Sequence, residues 1–464
     1  MASRFSSLVS LAVAALFFSS ATAWSNTSSL PQDVLPLSGS LDQIPVFNSN
    51  SPEVVKQPGI LLSTFPAETS SLPGAHLGYP LTGRFDVFFH HIVNGIKTHD
   101  YRTLFIACLV GNASNRKVTV HTLKASSYLS QPDAPFQELP SVAPDNNGNI
   151  FAGPGDRVAL DFLRGKTQKG WRSDLVLAPG EQRLLFCLPV TVSGLGDPLN
   201  GRSGLVQLKS NGPVYLATLA LFGTDAQGHD DSPPSLADWQ KVLADGILAG
   251  PRDVAPTAPD FKGGIKYGRV AGIDRGTSWT TTLANQDVHG PRPRLGIKSG
   301  ETISYVISSV TRGTLGTEQV QSAPMLVRYP DTAYMAHGNY GVLYDLTLPI
   351  ANTSTEDESV EISLESPIKN KSDSKQLTFY DDPPKSVFFR GAVRLRFRDE
   401  HGRKRDETIH LVEKQGQLVD PFISLSLRPG QLRTVRVSLV YPADATPPQV
   451  LTLTAKPARP HSDP

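Results

Sequence analysis

The sequence predicts a mainly β protein: two antiparallel β-sandwich modules, immunoglobulin-like or jelly-roll-like, joined by a short helical connector. Three observations carry this reading. Between Tyr344 and Ile350, apolar Tyr344, Leu346, Leu348 and Ile350 alternate with Asp345 and Thr347, a two-residue period that puts all the apolar side chains on one face of a strand. Ala351-Asn352-Thr353-Ser354 ends that run with residues that hydrogen-bond their own backbone in turns, and Val360-Glu-Ile-Ser-Leu364 resumes the alternation. Finally, 38 glycines and 38 prolines against three methionines suit short strands and many turns better than packed helices.

Taken in order, the chain of 464 residues opens with an expected signal peptide, residues 1–23. Arg4 precedes an apolar run from Leu8 to Phe18, and Ala21-x-Ala23 supplies the small residues that signal peptidases cut. The run is shorter than the ~20 residues of a membrane span, and no later segment reaches that length. The mature chain is therefore expected to lack a transmembrane segment and to be exported to periplasm, outer envelope or medium. Residues 24–80 read as an extended leader and 81–223 as the first sandwich. In that module Arg84–Ile92, Leu104–Val110, Val118–Leu123, Arg183–Val190 and Val214–Phe222 are strands, and 130–156 is a long loop. The connector, 224–320, is expected to hold one helix over 235–249 and a few strands. Ser235 caps the helix with Asp238 three residues on, Leu236, Trp239, Leu243 and Ile247 share a face, and Gly250-Pro251 stops it. Residues 321–456 form the second sandwich and 457–464 a tail.

An internal repeat is expected. Leu104–Ser114 matches Tyr344–Ser354, with Asn112 on Asn352 and Ser114 on Ser354, and the Pro-Gly turn of Ala178–Arg183 matches that of Arg428–Arg433. On this ruler Cys108 aligns with Leu348 and Cys187 with Val437, so both cysteines are expected to face the core of the first module. They are the two cysteines of the chain. Export favours a Cys108–Cys187 disulfide; two buried free thiols are the alternative.

Lysine plus arginine (44) balances aspartate plus glutamate (43), so no global field favours nucleic acid. Adjacent His90 and His91 point to opposite faces of a strand and cannot share an ion. With His99 and His121 they lack zinc-motif spacing. Asp145-Asn-Asn-Gly-Asn149 departs from a calcium loop at its sixth and twelfth positions and reads as a turn. No nucleophile elbow or His-Glu-x-x-His occurs, so no catalytic, cofactor or metal residue is assigned. Asn-x-Ser/Thr occurs at Asn26, Asn112, Asn352 and Asn370. One stretch offers a binding surface: Tyr329, Asp331, Tyr334, His337, Asn339 and Tyr340 mix aromatic faces with polar groups, as sugar rings or a partner's peptide require. The competing reading is that these tyrosines pack the approach to the Tyr344 strand.

That stretch, Gln321–Pro349, resembles an uncharacterised family of exported cyanobacterial proteins known as a domain of unknown function. Ile44-Pro-Val-Phe-Asn-Ser-Asn-Ser-Pro-Glu-Val54, Gly59–Pro66 and Gly83–His91 are similar to it too, and the resemblance spans about residue 30 to about 455. It implies a photosynthetic bacterium and no activity. The functional expectation is an envelope interaction or structural protein that binds a protein or polysaccharide surface. The rival is an envelope-glycan hydrolase or lyase with an unrecognised carboxylate site.

Overall fold

The computed structural model describes residues 26–94, 100–225, 231–285, 293–369 and 373–458. The expected signal peptide, His99, Asn370 and the last residues of the tail lie outside them. The chain is mainly β, with several sheets and two α-helices among the described residues, which is the predicted class.

The first apolar core lies between two layers. One has the order Asp174–Leu177, Val118–Leu129, Leu199–Phe222, Leu81–Asn94, Pro45–Ser49, Ala271–Arg275. The 24-residue strand Leu199–Phe222 then shifts register between Ser210 and Val214. Beyond that shift it pairs with Leu104–Asn112 and Gly59–Ser63, and Leu104–Asn112 pairs with Gln182–Val190. One long strand thus serves both layers. Phe85, Phe89, Leu104, Ile106, Cys108 and Val206 fill the space between them.

The second core is closed by two sheets. The first runs Leu343–Asn352, Leu432–Val440, Val387–Arg398, Lys404–Lys414. The second runs Asp33–Leu35, Thr302–Ile307, Gln449–Pro457, Glu358–Glu365, Ile423–Leu427. Tyr344, Leu346, Leu348 and Ile350 all point into this core, as their alternation requires. Leader and connector are structural parts of both layered bodies. Pro45–Ser49 and Ala271–Arg275 extend the first sheet, whereas Ser278–Thr282 and Leu295–Ile297 pair in parallel with Leu343–Asn352.

Helix α2, Leu236–Asp245, has Ser235 as N-cap, and its capping box with Asp238 closes in both directions. The helix is shorter than its apolar spacing suggested. Gly246 ends it, and Ile247 is 61% exposed instead of sharing the buried face of Trp239 and Leu243. That face covers the outer side of the Leu104–Asn112 strand, against Phe105, Ala107 and Leu109.

A second helix, α1 (Pro154–Leu163), begins at the end of the expected long loop, where the sequence predicts no helix. Its N-cap is Gly153, with no side-chain cap. Instead, Asp444, far along the chain, accepts a hydrogen bond from the Asp156 amide at 3.0 Å. A Cβ on Gly153 (φ +104°) would lie 2.6 Å from that carboxylate, so this close approach needs glycine. Val158, Leu160, Phe162 and Leu163 pack against Phe88, Tyr128 and Leu205 on one side and Ala392 and Val440 on the other. The helix is a wedge between the two cores. The same loop sends Val142–Pro144 across to pair with Ile409–Leu411, and Asp145–Asn149 is a turn, with the Asn149 amide on Asp145 Oδ1 at 2.8 Å.

The two asparagines aligned by the expected repeat hold closely similar networks, with Asn112 Nδ2 reaching one further carbonyl, Ala178 O, at 2.9 Å. Asn112 Nδ2 donates to Arg116 O (2.6 Å) and Leu177 O (3.2 Å), while its Oδ1 accepts from the Ser114 amide (2.9 Å). Asn352 Nδ2 donates to Glu356 O (2.7 Å) and Leu427 O (3.0 Å), and its Oδ1 accepts from the Ser354 amide (2.8 Å). Each pins a turn to a neighbouring strand end.

The cysteines are corrected by a bulge. Gln182 faces Gly111 just as Leu432 faces Ala351, but the first pair of strands shifts register between Leu184 and Phe186. An extra residue in one strand turns every later side chain to the other face. Cys187 therefore takes the place of Arg436, not Val437. Cys108 faces the first core and Cys187 the layer beneath α2; both are free thiols. Burial raises the pKa of Cys108, and it pushes Cys187 up to about 11.

Candidate functional site

The six residues singled out near the Tyr344 strand are mostly scaffold. Tyr329 is fully buried, its hydroxyl donating to Ala75 O at 2.7 Å and accepting from the Ser63 amide at 2.9 Å. Asp331 is held by both arms of Arg252, at 2.8 and 3.1 Å, which keeps its carboxyl below the usual range. His337 Nε2 donates to Gly268 O at 2.8 Å. Tyr340 bonds Ala445 O and stacks toward Tyr441. Asn339 is buried at φ +50°, with Nδ2 donating to Gln321 O and Tyr344 Oη. Tyr334 alone of the six is exposed, with Arg328 over its ring at 3.7 Å. The aromatics went inward because each buries a large apolar area while its hydroxyl finds a partner, so no open aromatic surface forms.

His337, Asn339 and Tyr340 do meet Asn48, Asn50 and Arg269 around a small cavity of about 10 Å³, room for about one water. The Oδ1 atoms of Asn48, Asn50 and Asn339 are buried there without protein partners. This is a place for a single hydrogen-bond donor, too small for a sugar or a peptide.

Three Ser–His contacts bear on hydrolytic chemistry. Ser49 Oγ lies 3.0 Å from His91 Nε2, Ser63 Oγ 2.8 Å from His76 Nδ1, and Ser203 Oγ 2.8 Å from His90 Nδ1. His91 Nδ1 donates to Pro52 O at 2.8 Å, which fixes the tautomer that accepts from Ser49. Burial holds the His91 imidazole down at about 4. Ser49 and His91 are both fully buried, so no substrate reaches that pair.

An open concavity of about 550 Å³ lies elsewhere, lined by Arg396, Arg398, Asp399, Glu400, Gln431 and Arg433 among others, within the ~300–1,000 Å³ range of ligand pockets. Its origin is local. Val387–Arg398 and Leu432–Val440 pair from Val393↔Leu439 to Arg396↔Arg436 and then diverge. Each then continues with another partner: Phe397 with Arg405, and Leu432 with Ala351. The groove is the gap where the two strands part. Arg394, Arg396 and Arg398 share the outward face of their strand because Val393 and Leu395 point into the core.

The charges in this groove are unevenly satisfied. Asp399 Oδ1 accepts from the amides of His401 and Arg403, and its Oδ2 from Arg405 Nε at 3.0 Å. Burial works to raise that carboxyl, but these donors bring it below the usual range. The amide of Glu400 itself and then Arg433, at 3.0 Å, lower the Glu400 carboxyl. By contrast Arg396 donates to Ser438 Oγ at 3.1 Å, and Arg398 to Gly402 O at 2.7 Å. The alternation Arg394-x-Arg396-x-Arg398 is the signal that could have marked this row, though no sequence expectation named it. That Arg433 would join it depends on strand pairing.

Among the described residues no three His, Cys, Asp or Glu side chains are placed to hold a metal. No helix there is long and apolar enough to cross a membrane, which says nothing of strands.

Comparison with curated proteins returns no match. Among solved structures, the chain aligns at 10% identity with that of the Macrobrachium rosenbergii nodavirus, covering 98% of this chain and 96% of that one, at a TM-score of 0.12. Coconut cocosin aligns at 10% identity, covering 82% and 84%, at a TM-score of 0.11. Brassica napus procruciferin, an 11S globulin, does so at 10% over 87% and 86%, also at 0.11. Scores this low carry no structural argument. A family model described as "Protein of unknown function (DUF3370)" matches residues 32–455. With the wedge helix, the arginine groove and nearly all of the strands inside that span, the chain belongs to the DUF3370 family.

Proposed function

We propose that this is an exported protein of a photosynthetic bacterium's cell envelope that binds a polysaccharide or protein surface without transforming it. Export rests on Arg4, the apolar run and Ala21-x-Ala23, and the bacterial source on the resemblance of Gln321–Pro349. The two layered bodies are read as a duplication, supported by the matching Asn112 and Asn352 networks.

The observation that carries the binding reading is the arginine-lined groove, whose acids are unsuited to glycan cleavage. Glycosidases keep one carboxyl raised, as a general acid. Both Asp399 and Glu400 are instead held low. The raised carboxyls lie elsewhere: Asp86, Asp274, Glu365 and Glu413 are buried, and the half-buried Glu53 and Asp444 are engaged by Arg269 and by the Asp156 amide. The test incubates purified mature protein with envelope fractions and assays both retention and release of reducing sugar. Retention without release is expected. Release of reducing ends would establish the hydrolase rival instead.

A further inference from the structure

The diverging strands offer a ligand more donors than acceptors. Arg396 and Arg436 sit directly opposite each other across the strand pair, an arrangement of like charges that costs stability. Arg436 grips Asp345 with two nitrogens, and Arg394 grips Asp406 at 2.7 and 2.6 Å. These flanking arginines are thus committed to carboxylates. Arg396 uses Nη2 alone, toward Ser438 Oγ at 3.1 Å and Asp345 at 3.7 Å, which leaves Nη1 to a ligand. Arg398 is exposed, with a backbone carbonyl for its acceptor. An anion entering the groove would meet two guanidinium forks with donors to spare, the geometry that carboxylate and sulfate groups match in pairs of bonds.

The backbone points away from a peptide as guest. Strand addition needs free main-chain groups along the gap. Arg433 instead reaches across it, bonding Arg398 O from one nitrogen and Ser426 O (3.3 Å) and Glu400 from another. Recognition there is left to side chains, and Gln431 and Thr434 add polar groups suited to hydroxyls.

We propose that this groove binds the carboxylate or sulfate groups of an acidic polysaccharide, with Arg396 and Arg398 as the two forks. The proposal rests on the envelope-binding reading and narrows its ligand.

The test titrates the purified mature protein by calorimetry with a polyuronate, a sulfated dextran, neutral dextran and polyglutamate. The polyuronate or the sulfated dextran should bind, the stronger identifying the group preferred, and neutral dextran should not. Arg396→Ala/Arg398→Ala should weaken that binding about tenfold or more, and the double lysine variant, which keeps charge but loses the forks, by about threefold or more. Unchanged unfolding midpoints would show that both variants fold. Undiminished binding by the alanine variant, equal binding of neutral dextran, or tighter binding of polyglutamate would each overturn the proposal. If wild type ignores every acidic polysaccharide yet is still retained by envelope fractions, this inference fails and the broader reading stands. Loss of envelope retention as well would remove both.

Discussion

His410 Nε2 lies 2.7 Å from Asp156 Oδ2, with both side chains fully buried. The pair joins the second sheet system to the first turn of α1, and the Ala152 amide donates to the same carboxylate oxygen at 2.8 Å. It is therefore a polar rivet in the wedge that holds the two cores together. Removing one partner of such a buried pair strands the other, which costs about 3–5 kcal/mol. His410→Leu should accordingly lower stability in urea by that amount, whereas Asp156→Asn, which can still bond the imidazole, should cost less. A loss below about 1 kcal/mol for His410→Leu would count against the rivet.

Asp274 gives a pH dependence. It is buried, takes one hydrogen bond from Asn48 Nδ2 at 3.0 Å, and burial pushes its carboxyl up to about 7. A carboxyl raised in the folded state binds its proton more tightly there than in the unfolded chain. Its stabilising contribution is complete below the unfolded value near 4 and is lost as pH rises toward 7. Asp274→Asn should remove that slope. The variant is expected to gain on wild type between pH 4.5 and 8 by up to about 4 kcal/mol, read from urea unfolding at several pH values. Asp86 and Asp444, both raised to about 6 by burial, tilt both proteins alike. A constant difference across the range would refute the assignment.

Asn112 and Asn352 should behave as equivalents. Replacing Asn352 with alanine leaves two main-chain carbonyls and a serine amide without their partner, and replacing Asn112 leaves three carbonyls and a serine amide, a loss of about 2–3 kcal/mol each. Similar losses in the two single variants are expected in thermal or urea unfolding. A marked imbalance would show that one of the two turns is held by other contacts.

The thiols can be counted directly. Unfolded without reductant, the protein should label at both Cys108 and Cys187. Folded, the half-buried Cys187 should react slowly and Cys108 not at all until the chain opens. Mass spectrometry after labelling reads all three, and a protein with no reactive thiol would restore the disulfide.

Strand identity was legible because side-chain alternation is a local property: Tyr344 to Ile350 announced its buried face before any neighbour was known. The α2 cap was legible too, since Ser235 and Asp238 are close in sequence. Helix α1 was hidden because its capping carboxylate, Asp444, comes from the other end of the chain. The aromatic stretch left both readings open because an alternation of tyrosines and polar residues fits a surface and a satisfied interior equally well. Tyr329 settled the matter by finding Ala75 O and the Ser63 amide.

By itself the sequence determined the β class, the alternation of the Tyr344 strand, and the turn chemistry at Asn112 and Asn352. Tertiary structure decided three things. A bulge after Leu184 turned Cys187 away from Cys108. Contacts between distant segments made a helix of Pro154–Leu163 and placed it between the cores. The parting of two strands brought Arg433 beside Arg396 and Arg398 to make a groove. The division has one physical reason: periodicity and caps act over a few residues, whereas register and strand divergence depend on which distant segments become neighbours.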